Sequence, residues 1–429
     1  MFCNQCEQAK NGTGCDTVGI CGKNPDVQSL QEILLYGLKG MAAYAHHARR
    51  LGKVDEAVDA FVEEALFATV TNVNFDIPTL LELVLECGKQ NLRTMELLDE
   101  GHVERYGQPA PCEVMVGTLP KPGILVTGHD MLDLENLLKQ CEGTDVMVYT
   151  HGEMLPAFMY PKLAQHPNLA GHFGGAWQLQ KFEFEAFGGA ILATTNCVLH
   201  PKPSYADRLF TTRVTAVPGG TRLTTDDFSA VIAKAKALGP LPDRPGKKIP
   251  VGFHHSVVLG AAPAILDAVK KGDVTHFFVI GGCDGAEPGR NYYTDYARNA
   301  PDSTFILTLG CGKYRIMGHD YGTLLGLPRL LDMGQCNNAY GAIKVAVGLA
   351  QALGCGVNDL PLSIVLSWFE QKAVAVLLTL LHLGVKNIKI GPAAPAFVSP
   401  GIFKVLQDTY NLQLIGPDPI ADLKKDIGA

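Results

Sequence analysis

Four cysteines crowd the start of the chain: Cys3, Cys6, Cys15 and Cys21, spaced C-x2-C-x8-C-x5-C. Thiolates packed in one glycine-bearing loop suit a soft metal centre. Four-thiolate ligation accommodates a [4Fe–4S] cluster, a [2Fe–2S] cluster or a zinc ion. A zinc knuckle is the plain alternative that spacing allows. No histidine and no basic-aromatic surface lies nearby to support it, so cluster ligation is the stronger reading.

A second set of metal-capable residues is scattered along the chain but shares one kind of position. His129 follows the run Gly123–Thr127, and Glu153 lies just beyond Asp145–Tyr149. Cys197 follows Ala190–Thr194, Cys283 follows the run that ends Gly281-Gly282, and Cys311 follows Thr304–Thr308. Cys336 precedes a helical pattern, and Glu370 follows Leu362–Leu366 and opens the helix that starts Gln371-Lys372. Taken singly, a cysteine after a strand is ordinarily a small buried hydrophobe, and a glutamate at a helix start ordinarily stabilises the helix dipole. Together, thiolates with one imidazole and two carboxylates suit iron held by sulfur and by harder atoms. A plain ferredoxin-type cluster needs only cysteines. The hard ligands therefore point to a mixed cluster with an open iron position for a small substrate. Gly281, Gly282 and Gly310 beside these cysteines let the backbone approach closely.

These residues need elements to position them. Three amphipathic patterns, Gln28–Leu51, Val54–Asn74 and Ile77 to Arg105, carry apolar residues at three- and four-residue spacing and read as an up-down-up helical bundle. Pro78 suits a first helical turn. Residues 106–123 hold Pro109, Pro111, Pro120 and Pro122 and read as a linker. Beyond them, short β-branched runs alternate with helical stretches such as Ala262–Lys271 and Tyr340–Leu353. That alternation implies parallel sheets covered on both faces. A further Pro/Gly/basic stretch, Gly239–Lys248, marks a boundary. The expected architecture is multidomain, α + α/β. Residues 1–120 form the cluster loop and an N-terminal three-helix bundle, and residues 121–245 and 246–429 form two Rossmann-like α/β domains. In open α/β sheets the ligand crevice lies at the carboxyl ends of the strands, where almost all seven residues fall. Two such domains facing each other would bring them to one cavity.

Composition narrows the function classes. The net charge of −7 argues against nucleic-acid binding, which needs a basic face. No run of 18 or more apolar residues appears, so a membrane span is not expected. The opening Met1-Phe2-Cys3 has no basic stretch leading into an apolar one, so no signal peptide is expected and the protein is placed in the cytoplasm. In such a setting twelve cysteines read as metal-binding or catalytic rather than as disulfides. Cys87, Cys112, Cys141 and Cys355 match no ligand pattern and read as structural thiols. The pairs His46-His47 and His254-His255 are adjacent residues that match no ligand motif, and adjacent residues on a helix do not share a face.

The N-terminal quartet, Thr-Gly-His129-Asp, Thr-His-Gly-Glu153, Thr-Asn-Cys197, Gly-Gly-Cys283-Asp-Gly, Leu-Gly-Cys311-Gly-Lys-Tyr-Arg, Gly-Gln-Cys336-Asn-Asn-Ala-Tyr and Ser-Trp-Phe-Glu370-Gln-Lys372 resemble the motifs of the hybrid cluster protein (hydroxylamine reductase) family. The resemblance covers nearly the whole chain. It implies a [4Fe–4S] cluster on Cys3, Cys6, Cys15 and Cys21. It also implies a hybrid [4Fe–2O–2S]-type cluster on His129, Glu153, Cys197, Cys283, Cys311, Cys336 and Glu370. In that family the cysteine matching Cys283 can carry a persulfide, and the lysine matching Lys372 lies beside the hybrid cluster. The implied activity is reduction of hydroxylamine to ammonia, with nitric oxide reduction to nitrous oxide as a second role. Electrons would come from a redox protein, and Glu153, Glu370, Lys372 and Cys283 would serve catalysis. Typical members have a second helical bundle that this chain has no room for, so it resembles the short class, whose cluster-ligand motifs it keeps. Two other readings compete. One is a carbon monoxide dehydrogenase-like enzyme, which would need nickel. The other is a nitric oxide or redox sensor with an S-nitrosylating role, which would ordinarily carry an output module.

Overall fold

The computed structural model describes residues Met1–Gly428. The chain groups into two compact units, one of residues 102–353 and one of residues 1–101 with 354–429.

The 102–353 unit is built on parallel strands. β1 (Cys112–Met115) comes first, inside the stretch read from the sequence as a linker. Its alternating burial suits a half-buried edge, and it pairs antiparallel with β8 (Lys248–Val251). The proline-rich flanks hid it, because prolines close by argue against a strand while leaving a four-residue segment free to pair.

Six strands then form one sheet: β2 (Gly123–Thr127), β3 (Met147–Thr150), β4 (Leu169–His172), β5 (Ala190–Ala193), β6 (Leu209–Thr212) and β7 (Thr221–Leu223). Their order is β4-β3-β2-β5-β6-β7, with every neighbouring pair parallel. β2, β3 and β5 are buried at every position, as strands covered on both faces must be. Leu125, Tyr149 and Ile191 pack on one face with Phe184, Phe187 and Tyr205. The chain starts at β2, runs outward to β4 and returns to β5 on the other side, so the crevice between β2 and β5 is the topological switch point where such sheets bind ligands.

Farther along, β9 (His276–Gly282), β10 (Thr304–Thr308) and β13 (Leu330–Asp332) run parallel in the order β13-β10-β9, with a small antiparallel pair, β11 (Thr323–Leu324) and β12 (Leu327–Pro328), between β10 and β13 in the chain.

The other unit joins the two chain ends. Its helices are α1 (Pro25–Arg50), α2 (Glu56–Ala68) and α3 (Ile77–Tyr106), whose last turn passes into the 102–353 unit. The Asn24 side chain accepts the Val27 N–H at 2.8 Å and Pro25 opens the first turn, so the cysteine loop passes directly into α1. The C-terminal part adds β14 (Leu362–Ser367), β15 (Ile388–Gly391) and β16 (Gln413–Leu414), all parallel in that order, and the helix Gln371–His382. Val374, Leu378 and Leu381 of that helix share one core with Leu30, Leu34, Leu38 and Met41 of α1 and with Leu80, Val84 and Cys87 of α3. The approach is close: a Cβ on Gly88 would lie 2.1 Å from the Leu378 carbonyl oxygen. Beside it, Asn91 Nδ2 donates to Thr379 Oγ1 at 2.9 Å, a buried polar contact between the two helices inside an apolar one.

Among the described residues no helix is long and apolar enough to cross a membrane.

Candidate metal centre

His129 leaves β2 through Gly128, whose φ of +102° is open to glycine but strained for other residues. Thr195, just past β5, fixes the ring. Its Oγ1 accepts the His129 backbone N–H at 2.9 Å and lies 2.9 Å from Nδ1. Nε2 is left to face Glu153, whose Oε2 is 3.3 Å away. A ligating histidine held through its other nitrogen is the usual arrangement behind a metal.

Glu153 stands in a short 3-10 helix, Gly152–Met159, that follows β3. Its Oε2 accepts the backbone N–H of Cys336 at 2.8 Å, while Oε1 is buried with no hydrogen-bond partner among the described residues. Burial pushes the carboxyl up, but the hydrogen bond and charge of His129, the Lys313 ammonium and the Cys336 N–H outweigh it and bring the group down to about 2. Glu153 is therefore an anion at neutral pH with one oxygen still to satisfy. The ligand atoms of His129, Glu153 and Cys336 all lie within 4.8 Å of one another.

Three more cysteines converge here. Burial, and then the negative charges of Glu153, Cys197 and Cys283, push the Cys311 thiol well above its ordinary range. Mutually repelling sulfur and carboxylate donors of this kind are stabilised together by bound cations. Imidazole, carboxylate and thiolate thus meet at the carboxyl ends of β2, β3, β5, β9 and β10, and the donor set fits a metal centre with both soft and hard ligands.

The polar residues that hold these ligands were not singled out from the sequence. Gln335, almost fully buried, donates through Nε2 to the carbonyls of His129 (3.1 Å) and Glu153 (2.7 Å), tying both to the residue beside Cys336. The turn Trp177–Gln180 holds three cysteines. The Trp177 indole N–H and Gln178 Nε2 donate to the Cys283 carbonyl at 3.0 and 3.2 Å, and the Trp177 backbone N–H is directed at the Cys311 sulfur. Gln180 Nε2 donates to the Cys197 carbonyl at 2.6 Å. Lys313, two residues after Cys311, is fully buried against Asp332 Oδ1 at 2.5 Å and supplies the positive charge that reaches Glu153. The one signal open to sequence reasoning was position: Gln335 and Lys313 sit within two residues of a candidate cysteine.

Glu370 and Lys372 belong to the other unit, at the start of the helix Gln371–His382. Glu370 is the N-cap residue of that helix and makes no side-chain capping bond there. Lys372 is buried, with Nζ 3.9 Å from Glu370 Oε1.

The N-terminal quartet lies in the same unit as α1. Cys15 is buried, Cys3 and Cys6 are half-buried and Cys21 is exposed. Cys3 and Cys15 are joined by paired backbone hydrogen bonds of 2.9 and 2.8 Å. The N–H groups of Lys10 and Ile20 bond to the Cys15 sulfur and lower its thiol. A Cβ on Gly19 would lie 3.1 Å from Cys21 Sγ, so the chain passes close around the sulfur. Amides turned onto thiols in a glycine-bearing loop fit thiolates bound to metal. The thiols outside both sets differ. Cys87 and Cys141 are buried in apolar surroundings, and burial pushes each up to about 12.

Comparison with known proteins adds the lineage. The model of the Prismane/CO dehydrogenase family matches residues 1–84 and 76–424, two segments that meet in the first turns of α3. A hydroxylamine reductase of Moorella thermoacetica is 59% identical over 428 residues, covering 100% of both chains. One from Thermotoga petrophila is 49% identical over 99% of both. One from Geobacter sulfurreducens is 43% identical over 550 aligned positions and 100% of both. An alignment that long, set against 429 residues, shows that this relative carries segments the present chain lacks. Among solved structures, a nickel-free carbon monoxide dehydrogenase from Thermococcus sp. AM4 has the same fold, with a TM-score of 0.79 at 17% identity over 100% of this chain and 90% of that one. The chain belongs to the Prismane/CO dehydrogenase family and, within it, to the hybrid cluster proteins whose motifs its sequence carries.

Proposed function

We propose that this protein is an iron–sulfur oxidoreductase that reduces hydroxylamine to ammonia and water. The observation that carries this reading is the convergence of one imidazole, one carboxylate and four thiols in one unit, with Glu153 Oε1 buried and unsatisfied. His129, Glu153, Cys197, Cys283, Cys311 and Cys336 would hold a hybrid [4Fe–2O–2S]-type cluster, with Glu370 as the further ligand that the family resemblance implies. Cys3, Cys6, Cys15 and Cys21 would hold a [4Fe–4S] cluster. Bound there, the clusters would relay two electrons from a reduced donor protein for cleavage of the N–O bond. The chain's own groups supply geometry and protons. The nitrogen leaves as ammonia and the oxygen as water, so protons must reach both atoms. Lys372 and Glu370 are the pair assigned to that task, an ammonium that can donate a proton beside a carboxylate 3.9 Å away. Cys283 is the position at which a persulfide would form. Cys21, exposed at the rim of the quartet, marks the side on which a redox protein would deliver electrons. The protein is assigned to the cytoplasm.

The test is anomalous scattering from anaerobically grown crystals. Iron is expected at the quartet and beside His129 and Glu153, with no nickel. A nickel signal at the second site would instead make the chain carbon monoxide dehydrogenase-like, and zinc at the quartet would remove the electron-entry role.

A further inference from the structure

Lys23 follows the last cysteine of the quartet by two residues, and its side chain is buried, with 1% of its surface exposed. The Nζ donates to Gln28 Oε1 at 2.9 Å and lies 3.7 Å from Cys3 Sγ. Those are its side-chain hydrogen bonds among the described residues, and the Glu32 carboxylate interacts with its charge without bonding to it directly. Gln28 is itself buried, in the first turns of α1, and bonds one turn on to Glu32, so its carbonyl is held in place to receive the ammonium.

A buried ammonium needs a compensating negative charge. Here the Cys3 sulfur of the metal-binding quartet is the anionic partner in direct contact, with the Glu32 carboxylate acting through space. A positive charge fixed against a cluster favours the reduced state, which carries one more electron, and charge and hydrogen bonds to sulfur are the levers that set such potentials. We infer that Lys23 is a positioning residue for electron entry, its ammonium raising the reduction potential of the cluster on Cys3, Cys6, Cys15 and Cys21. This rests on the reading of that quartet as an iron–sulfur site. The effect is electrostatic, so arginine should preserve it and neutral side chains should abolish it.

The experiment is an anaerobic redox titration of the intact holoprotein, following the reduced N-terminal cluster by electron paramagnetic resonance. Wild type is compared with Lys23→Met, Lys23→Gln and Lys23→Arg, with iron quantified in each. The neutral variants should be harder to reduce by at least about tenfold, which is 59 mV lower for a one-electron couple. Lys23→Arg should stay close to wild type. Iron retained in Lys23→Arg but lost from both neutral variants would also support a requirement for the charge. An unchanged potential in any iron-replete neutral variant would overturn the role of Lys23. Failure of the underlying reading looks different: Cys6→Ser would then leave both the iron content and the resonance signal unaltered.

Discussion

Chemistry at the residue scale depends on ligands and on the side chains behind them. Gln335 holds the backbone of both His129 and Glu153 through one amide group. Gln335→Leu would leave two buried carbonyls unsatisfied, at about 1–3 kcal/mol each, and release both ligands. Activity per folded molecule should fall about 10–100-fold, with altered cluster spectra; parental spectra would mean that the packing around His129 suffices. Cys283 offers a sharper contrast. It is half-buried, and its backbone is fixed by the bonds of Trp177 and Gln178 to its carbonyl. Cys283→Ser should lower hydroxylamine turnover by at least about a hundredfold, the upper end of the loss seen when groups behind a metal are removed. Cys355→Ser, outside both ligand sets, should be nearly silent. Equal losses in iron-replete samples of the two would remove Cys283 from the reactive centre.

At the scale of elements, the long helices and the strands made of unbroken apolar runs, such as β2, β3, β5, β10 and β14, were legible, and the remaining short strands were not. α1, α2 and α3 carry enough turns for a 3.6-residue period to show. β4, β6, β7, β13 and β16 have two to four residues each, too few for any period, and β1 lies among prolines. The cysteines, His129 and Glu153 could be read because strand ends are where α/β sheets bind ligands. The glutamines and threonines behind them could not, since such residues are common in any loop. β4 carries a test of its own. His172, at its end, lies 3.0 Å from Thr150 Oγ1 and stacks on Tyr314. Burial, then the charge of His151, lowers its pKa to about 3. Below its ordinary value near 6.5 the unfolded chain binds the extra proton and the folded chain does not. The neutral ring therefore contributes full stability above about pH 6.5, and this is lost as the pH falls toward about 3. The urea midpoint of wild type should drop between about pH 7 and about pH 5 by more than that of His172→Asn; equal slopes would assign the acid sensitivity elsewhere. Helix contact is tested by Gly88→Val. A side chain cannot fit 2.1 Å from the Leu378 carbonyl, so a loss of about 3 kcal/mol is expected. Gly260→Ala, with open space around it, should change stability by less than about 1 kcal/mol in the same denaturation assay.

For the whole molecule, chain order and packing diverge. Residues 354–429 share a compact unit with the N-terminal helices, so the quartet, Glu370 and Lys372 all belong to that unit while six candidate ligands lie in the other. An amphipathic helix announces that one face is covered but not which segment covers it, which is why the partnership of α1 with the helix Gln371–His382 could not be read from spacing. The family relationship, by contrast, was carried by motifs spread over the whole chain. All of these levels meet in one activity. The decisive measurement is turnover by anaerobically purified, iron-replete protein with reduced viologen as electron donor, counting viologen oxidised and ammonia formed. The expected result is hydroxylamine-dependent oxidation of two viologen equivalents for each ammonia, abolished in Cys311→Ala. Iron-replete protein that oxidises no viologen in the presence of hydroxylamine, or that does so without forming ammonia, would contradict it.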